Sequence, residues 1–344
     1  MVHGVMDTEQ PTSWIPLRPQ LSRRALDRGL RILSRYYRFV SLTDAIAMLT
    51  GRKPVQPYSL VLTFDDGYRN NLTHAVPILR RYHAPAALFV TTGHVDQHKP
   101  FWFDRLDYVL QHADVAGRQI HIGPTTLILD AHDRASLRAS YKQLRDVAKA
   151  LNRPDREMAQ EMEDLAASLE KECGHKLADI CTNDPWSAVL TWNDMQGLQA
   201  DDIIIGSHTV GHVRLGLVDD QTAREQMLQS KRAIEDQLGQ PCRYLCYPSG
   251  SFTHQTVALA RDCGYEAALT TEEGTNQTGD NLMLLRRISF PETDNTMQML
   301  SIVSGLTAFV SSWVVRLRNI IPCIKMYALN GIRAGQIRER IRVR

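Results

Sequence analysis

The chain is missing the marks of several protein classes. Its formal net charge is only +2, so the whole molecule exerts no strong pull on nucleic acid. Its six cysteines include no Cys-x-x-Cys pair, which points to reduced thiols rather than a disulfide frame or a zinc knuckle. Residues Met1 to Trp14 have neither a basic n-region nor an apolar h-region, so no secretory signal is expected and a cytoplasmic protein is. There is no internal repeat and no low-complexity tract. What remains is ordinary: 43% hydrophobic and 23% charged residues, with Gly 20 and Pro 15, exclude disordered, collagen-like and coiled-coil chains. A length of 344 residues suffices to bury a sizeable core in one large or two modest domains.

Short apolar runs alternate with helical patterns. The runs Leu60–Phe64, Ala86–Thr91, Ile203–Ser207, Tyr244–Tyr247, Ala267–Thr270 and Leu284–Ile288 end at Gly, Pro, Asp or polar turns, as buried parallel strands do. Helical periods lie between them at Asn71–Tyr82, Thr222–Leu238 and Thr256–Cys263. This alternation predicts βαβ units, hence a doubly wound sheet or a barrel. Two helices are expected before the first of these runs, one carrying Leu21, Ala25, Leu30, Leu33 and Tyr37, the other capped by Ser41 with Asp44. Between about residues 99 and 185 the alternation stops. Phe101–Leu110, Arg134–Leu151 and Asp155–Glu172 read as helices of an insertion or lid.

The sharpest chemical feature is Thr63-Phe64-Asp65-Asp66-Gly67-Tyr68. Adjacent carboxylates at the carboxyl end of a strand occupy the position where α/β folds form active sites, and they repel unless a cation holds one. An Asp capping the next helix would explain the pair equally well. Ser207-His208-Thr209-Val210-Gly211-His212 follows another strand, and histidines four apart can face one way if the backbone turns helically. Two surface histidines are the plainer reading of that motif alone. Taken together, two imidazoles and one carboxylate make a three-ligand site with open positions, the form of a catalytic metal centre. The second carboxylate is then free to act as a base toward water whose pKa a cation lowers from about 16 toward about 7. A third strand leads into Tyr247-Pro248-Ser249-Gly250, a tight turn whose amides offer an oxyanion contact, or simply a βα loop.

These three motifs, in this order, resemble the polysaccharide deacetylase family, also called the chitooligosaccharide deacetylase (NodB) homology domain or carbohydrate esterase family four. The resemblance covers about residues 2–93 and 190–289 and is nearest the Tyr-Pro-x-Gly subgroup; Met1-Val2-His3-Gly4-Val5 is similar to the family's opening strand. It implies a distorted barrel of about seven strands with helices outside, spanning residues 1–298 with the insertion at 99–185. It implies Asp65 as catalytic base, Asp66, His208 and His212 as ligands of a divalent metal, and Tyr247, Pro248, Ser249 and Gly250 as the oxyanion and substrate turn. The metal expected is Zn2+, with Co2+ or Ni2+ as alternatives, and the reaction expected is removal of an N-acetyl group from a saccharide. Two departures stand out. Cys246 occupies the place of the family arginine that pairs with the base, leaving Arg243, three residues upstream, as the candidate partner. Leu285-Arg286-Arg287 occupies the region of a Leu-x-His motif that supplies the general acid elsewhere, so His3, His74 and His94 are acid candidates by residue type only. These departures keep two other readings open: a carbohydrate-binding protein on a decayed deacetylase scaffold, and an amide or imide hydrolase on a non-sugar substrate.

The C-terminal segment differs from the rest. Met299–Val315 is a 17-residue run with no charged side chain, and Arg316 to Arg344 carries eight basic residues against one acidic. The apolar run is shorter than the roughly 20 residues a span needs and is periodic, so residues 299–344 are expected to pack as a terminal helix or to touch an anionic membrane surface, such as the inner face of the membrane.

Overall fold

The computed structural model describes residues 1–7, 12–151, 153–198 and 202–306. Six parallel strands form its centre: β1 (Leu62–Phe64), β2 (Ala86–Val90), β3 (Ile203–Ser207), β4 (Tyr244–Cys246), β5 (Ala267–Glu273) and β6 (Leu285–Arg287). Their spatial order equals their order in sequence. Every side chain of β1, β2 and β4 is buried, because helices cover the outer face and the curled sheet covers the inner one. The sheet is a partial barrel, and the chain start bridges the open side. Val2 pairs with Phe64 on β1, and the Met1 carbonyl accepts from Phe290 just beyond β6.

The helices between strands follow from capping and burial. The Ser41 hydroxyl accepts from the Asp44 amide at the start of Leu42–Leu49, as the sequence predicts. Asp219 caps Asp220–Leu238, and a Thr253–Thr256 box starts His254–Asp262. The stretch predicted as one helix over 71–82 begins with a π-helical turn at Asn71–Ala75 before Val76–Arg81 becomes regular. This wider turn sits next to the Asp65-Asp66 motif, where such irregularities commonly accompany function.

Residues 102–173 contain three helices, α1 (Trp102–Leu110), α2 (Arg134–Ala150) and α3 (Asp155–Cys173). They also contain an antiparallel hairpin, Gln119–Ile122 with Thr125–Ile128, which the sequence analysis did not anticipate. Its outward side chains include Gln119, His121 and Thr126 but also the exposed Ile128, and its inward Ile120, Ile122 and Leu127 join Leu106, Leu144, Met162 and Leu169 in a separate core. The last described helix, Thr296–Val303, buries Met299 and Val303 against Ile32 and Leu33. Of the expected tail, residues 299–344, the part from 307 onward lies outside the described residues. No helix among the described residues is long and apolar enough to cross a membrane.

Candidate active site

The Asp65-Asp66 pair leaves the end of β1 along an unusual backbone path. Asp66 has φ 73° and Gly67 φ 82°. A left-handed conformation is strained for Asp, and it turns the two carboxylates in different directions. Gly67 is required twice over, since a Cβ there would also lie 3.1 Å from the Val90 side chain. Asp65 and Asp66 are both buried.

His208 continues β3, its amide donating to Val90 at the end of β2. The following loop does not make the helical turn that was the condition for the two histidines to face one way. Thr209 (φ 67°) and His212 (φ 56°) reverse it instead, and the Gly211 amide donates to Gln226 at 2.9 Å. The outcome is the convergence that the motif required: His208 Nε2 and His212 Nε2 lie 3.6 and 3.3 Å from Asp66 Oδ1. His208 Nδ1 is 2.8 Å from the Cys246 carbonyl, which can only accept, so this nitrogen carries the proton and Nε2 presents a lone pair. Burial pushes the His208 pKa down to about 4, outweighing Asp65, so the ring is neutral. Asp66 Oδ1 is buried and without a hydrogen-bond partner. The Asp66 oxygen and the His208 Nε2 lone pair, gathered this closely, repel one another unless a proton or a cation lies between them. The donor set of one carboxylate and two imidazoles thus fits a divalent metal.

Asp65 faces a different partner from the one expected. The Arg243 side chain is half-exposed and 3.6 Å from Glu266, away from the site. Arg287 on β6 takes its place, with Nη1 2.7 Å from Asp65 Oδ1 and Nη2 2.8 Å from Oδ2. Its remaining donors go to the Thr270 carbonyl, the Thr63 hydroxyl and Cys246 Sγ. The guanidinium has five N–H groups and each has an acceptor here. Burial alone would raise the Asp65 carboxyl, but the Arg287 charge and hydrogen bonds override it and hold the group well below the ordinary carboxylate range. Cys246 explains the relocation. Its small side chain, where the family places an arginine, leaves room for Arg287 to reach across β5. Burial keeps the thiol protonated, and Sγ lies 3.6 Å from Asp65 Oδ2.

Arg287 is the functional residue that the sequence analysis missed. The period of two was available: Leu285 and Arg287 share the inner face of β6, while Arg286 points outward to Asp280. A buried arginine needs a buried acid, and Asp65 was the unclaimed one.

In the Tyr247–Gly250 turn the expected amides are not equally free. The Tyr247 amide donates to Leu269 and the Gly250 amide to Tyr247, while Pro248 has none. Ser249, exposed and at φ 54°, remains as the turn's available donor. Among the acid candidates, His74 neighbours Arg23 and Asp7 and is remote from the site. His94 is buried, stacked on Phe101 at 4.0 Å with Nδ1 on the Lys99 carbonyl. His3 follows Val2, whose carbonyl accepts from the Asp65 amide, so it sits beside the aspartate pair, where desolvation lowers its imidazole pKa despite the two aspartates. Phe101 and Phe103, at the start of α1, form a wall against His212.

Comparison with known proteins agrees with this geometry. A model of the polysaccharide deacetylase family matches residues 52–268. YxkH, assigned to the polysaccharide deacetylases in Bacillus subtilis, is 20% identical over 252 residues, which are 73% of this chain and 58% of that protein, so the chain spans a little over half of its relative's length. Among solved structures, the Streptococcus pyogenes deacetylase PplD in complex with acetate superposes with a TM-score of 0.55 and 18% identity, covering 88% of this chain and 95% of that one. IcaB from Ammonifex degensii gives a TM-score of 0.54 at 18% identity, covering 88% and 96%. These likenesses establish the fold, an α/β barrel of the deacetylase type. With more than half of its length matched by the family model, and with the family's motifs brought to one end of the sheet, the chain belongs to the polysaccharide deacetylase family.

Proposed function

We propose that this protein is a metal-dependent hydrolase that removes N-acetyl groups from an N-acetylated saccharide. The observation that carries the reading is the convergence of Asp66 Oδ1, His208 Nε2 and His212 Nε2 beside a second carboxylate held by Arg287. Asp66, His208 and His212 hold the metal, for which zinc is the natural choice, with cobalt and nickel sharing the affinity for imidazole. Asp65 acts as base. Arg287 keeps it ionised across the physiological range, and the same charge makes it a weak base, so it needs an acidified nucleophile. A divalent cation supplies that acidity when bound, together with polarisation of the acyl carbonyl. The Ser249 amide offers a hydrogen bond to the developing oxyanion. Of the three candidate imidazoles, His3 is the one beside both aspartates, and we assign it protonation of the departing amine. Arg287 also weakens the decayed-scaffold reading, because it restores the charge pairing that Cys246 had removed.

Acetate release from a panel of N-acetylglucosamine oligomers, with and without a chelator, tests the reaction. Chelation should abolish release and zinc should restore it. Asp66→Asn, His208→Gln and His212→Gln should each lose metal by elemental analysis, because three protein ligands leave none to spare. Full activity in metal-free protein would refute the reading. Separately, His3→Gln should retain metal and lower kcat by about 10²-fold or more, the usual contribution of a general acid. An unchanged kcat would exclude His3 from proton transfer.

A further inference from the structure

We propose that the mouth of this site binds a phosphoryl group joined to the saccharide, held between Arg145 and Lys149. This rests on the deacetylase reading and narrows its substrate to a sugar phosphate or sugar diphosphate.

Arg145 and Lys149 lie four residues apart on α2 and therefore share a face. That face meets the active-site wall. The Arg145 guanidinium stacks over the rings of Phe103 at 5.8 Å and Tyr141 at 5.4 Å, and the Phe103 ring is 5.6 Å from that of His212. Lys149 is tied to the same place by its backbone, whose carbonyl accepts from Arg214 Nη1 at 3.2 Å, two residues beyond His212. Arg18 stacks on Phe103 as well, at 4.6 Å. Four cations thus gather beside one metal-ligand loop.

Two of the four are neutralised. Arg18 pairs with Asp104 at 2.6 Å, and Arg214 pairs with the buried Asp155. Arg145 and Lys149 have no carboxylate in ion-pair contact among the described residues, and Arg145 Nε is buried without a hydrogen-bond partner. Burial lowers the Lys149 ammonium pKa to about 8, and the Arg145, Arg214 and Arg18 charges add to the effect. A neutral polysaccharide gives these groups nothing that water does not. Two unmatched positive charges suit the roughly two negative charges of a phosphate monoester, or the two phosphates of a diphosphate linkage, whereas a uronate brings one.

Calorimetric titration of the full chain tests the site. The probes are N-acetylglucosamine, N-acetylglucosamine 1-phosphate, UDP-N-acetylglucosamine, a short-chain prenyl diphosphate N-acetylglucosamine, and glucuronate. The phosphorylated sugars should bind at least about tenfold more tightly than the neutral sugar or glucuronate, with the advantage shrinking as salt rises. Arg145→Gln with Lys149→Gln should remove the advantage. Lys149→Gln alone should remove part of it. The tighter of the nucleotide and prenyl forms identifies the carrier. Equal affinity for phosphorylated and neutral sugars, or a full advantage retained in the double variant, would overturn the proposal. Acetate release is followed on the same sugars. Tight, Arg145- and Lys149-dependent binding with no release from any sugar would overturn the deacetylase reading and leave the anion site standing.

Discussion

Replacing Arg287 with methionine should destabilise the protein by about 3–5 kcal/mol at neutral pH and cut deacetylation by about 10²-fold or more. The substitution leaves Asp65 buried with no counter-charge. In the native protein the Asp65 carboxyl is depressed, so its contribution to stability is present above the ordinary carboxylate pKa near 4 and is lost only as pH falls through the depressed folded value. Without Arg287, burial is left to act and raises the carboxyl. The linkage then inverts: stability is present in mild acid and lost as pH rises through the raised value. Denaturant titrations of Arg287→Met at several pH values should therefore show greater stability in mild acid than at neutral pH, and its rate profile should gain an acid limb. A profile and a stability curve parallel to the native ones would show that Arg287 does not hold Asp65 ionised.

The Asp65→Asn variant should keep its metal and lose activity by about 10³-fold, because the amide preserves the shape and cannot accept the proton. It also leaves the Arg287 charge without its match, so some loss of stability accompanies the loss of rate. Combining Asp65→Asn with Arg287→Met removes both charges. The double variant should recover much of the stability lost by either single change while remaining inactive, the non-additivity expected of a buried pair. Metal content, acetate release and chemical denaturation of the four proteins complete the cycle. Substantial activity in Asp65→Asn would remove Asp65 as the base. Strictly additive losses would show that the two side chains act independently.

The elements that were legible in the sequence are those whose signal is local. Buried parallel strands are continuous apolar runs, and β2 and β3 emerge at Ala86–Val90 and Ile203–Ser207, where those runs lie. N-caps are local too, and Ser41 caps as its spacing with Asp44 implied. The hairpin at residues 119–128 was missed because its strands are only four residues long, the second does not alternate in sequence, and both lie inside a segment dominated by helical periods. The His208–His212 segment brings its rings together without a helical turn, because two residues at positive φ bend it. Such conformations are set by the packing around a loop, and the residue types Thr and His do not announce them.

What the sequence alone determined was the chemistry available: two carboxylates at one strand end, two imidazoles at another, and the order of strands that carries both to the same edge of a parallel sheet. Its motifs sufficed to name the family. The partner of Asp65 was decided by the tertiary structure, since proximity in sequence favoured Arg243, which the fold turns outward to Glu266. Arg287 lies 222 positions from Asp65 in sequence. The curl of the sheet and the small side chain of Cys246 bring them into contact, where a buried guanidinium has five donors to satisfy and a buried carboxylate has a charge to match.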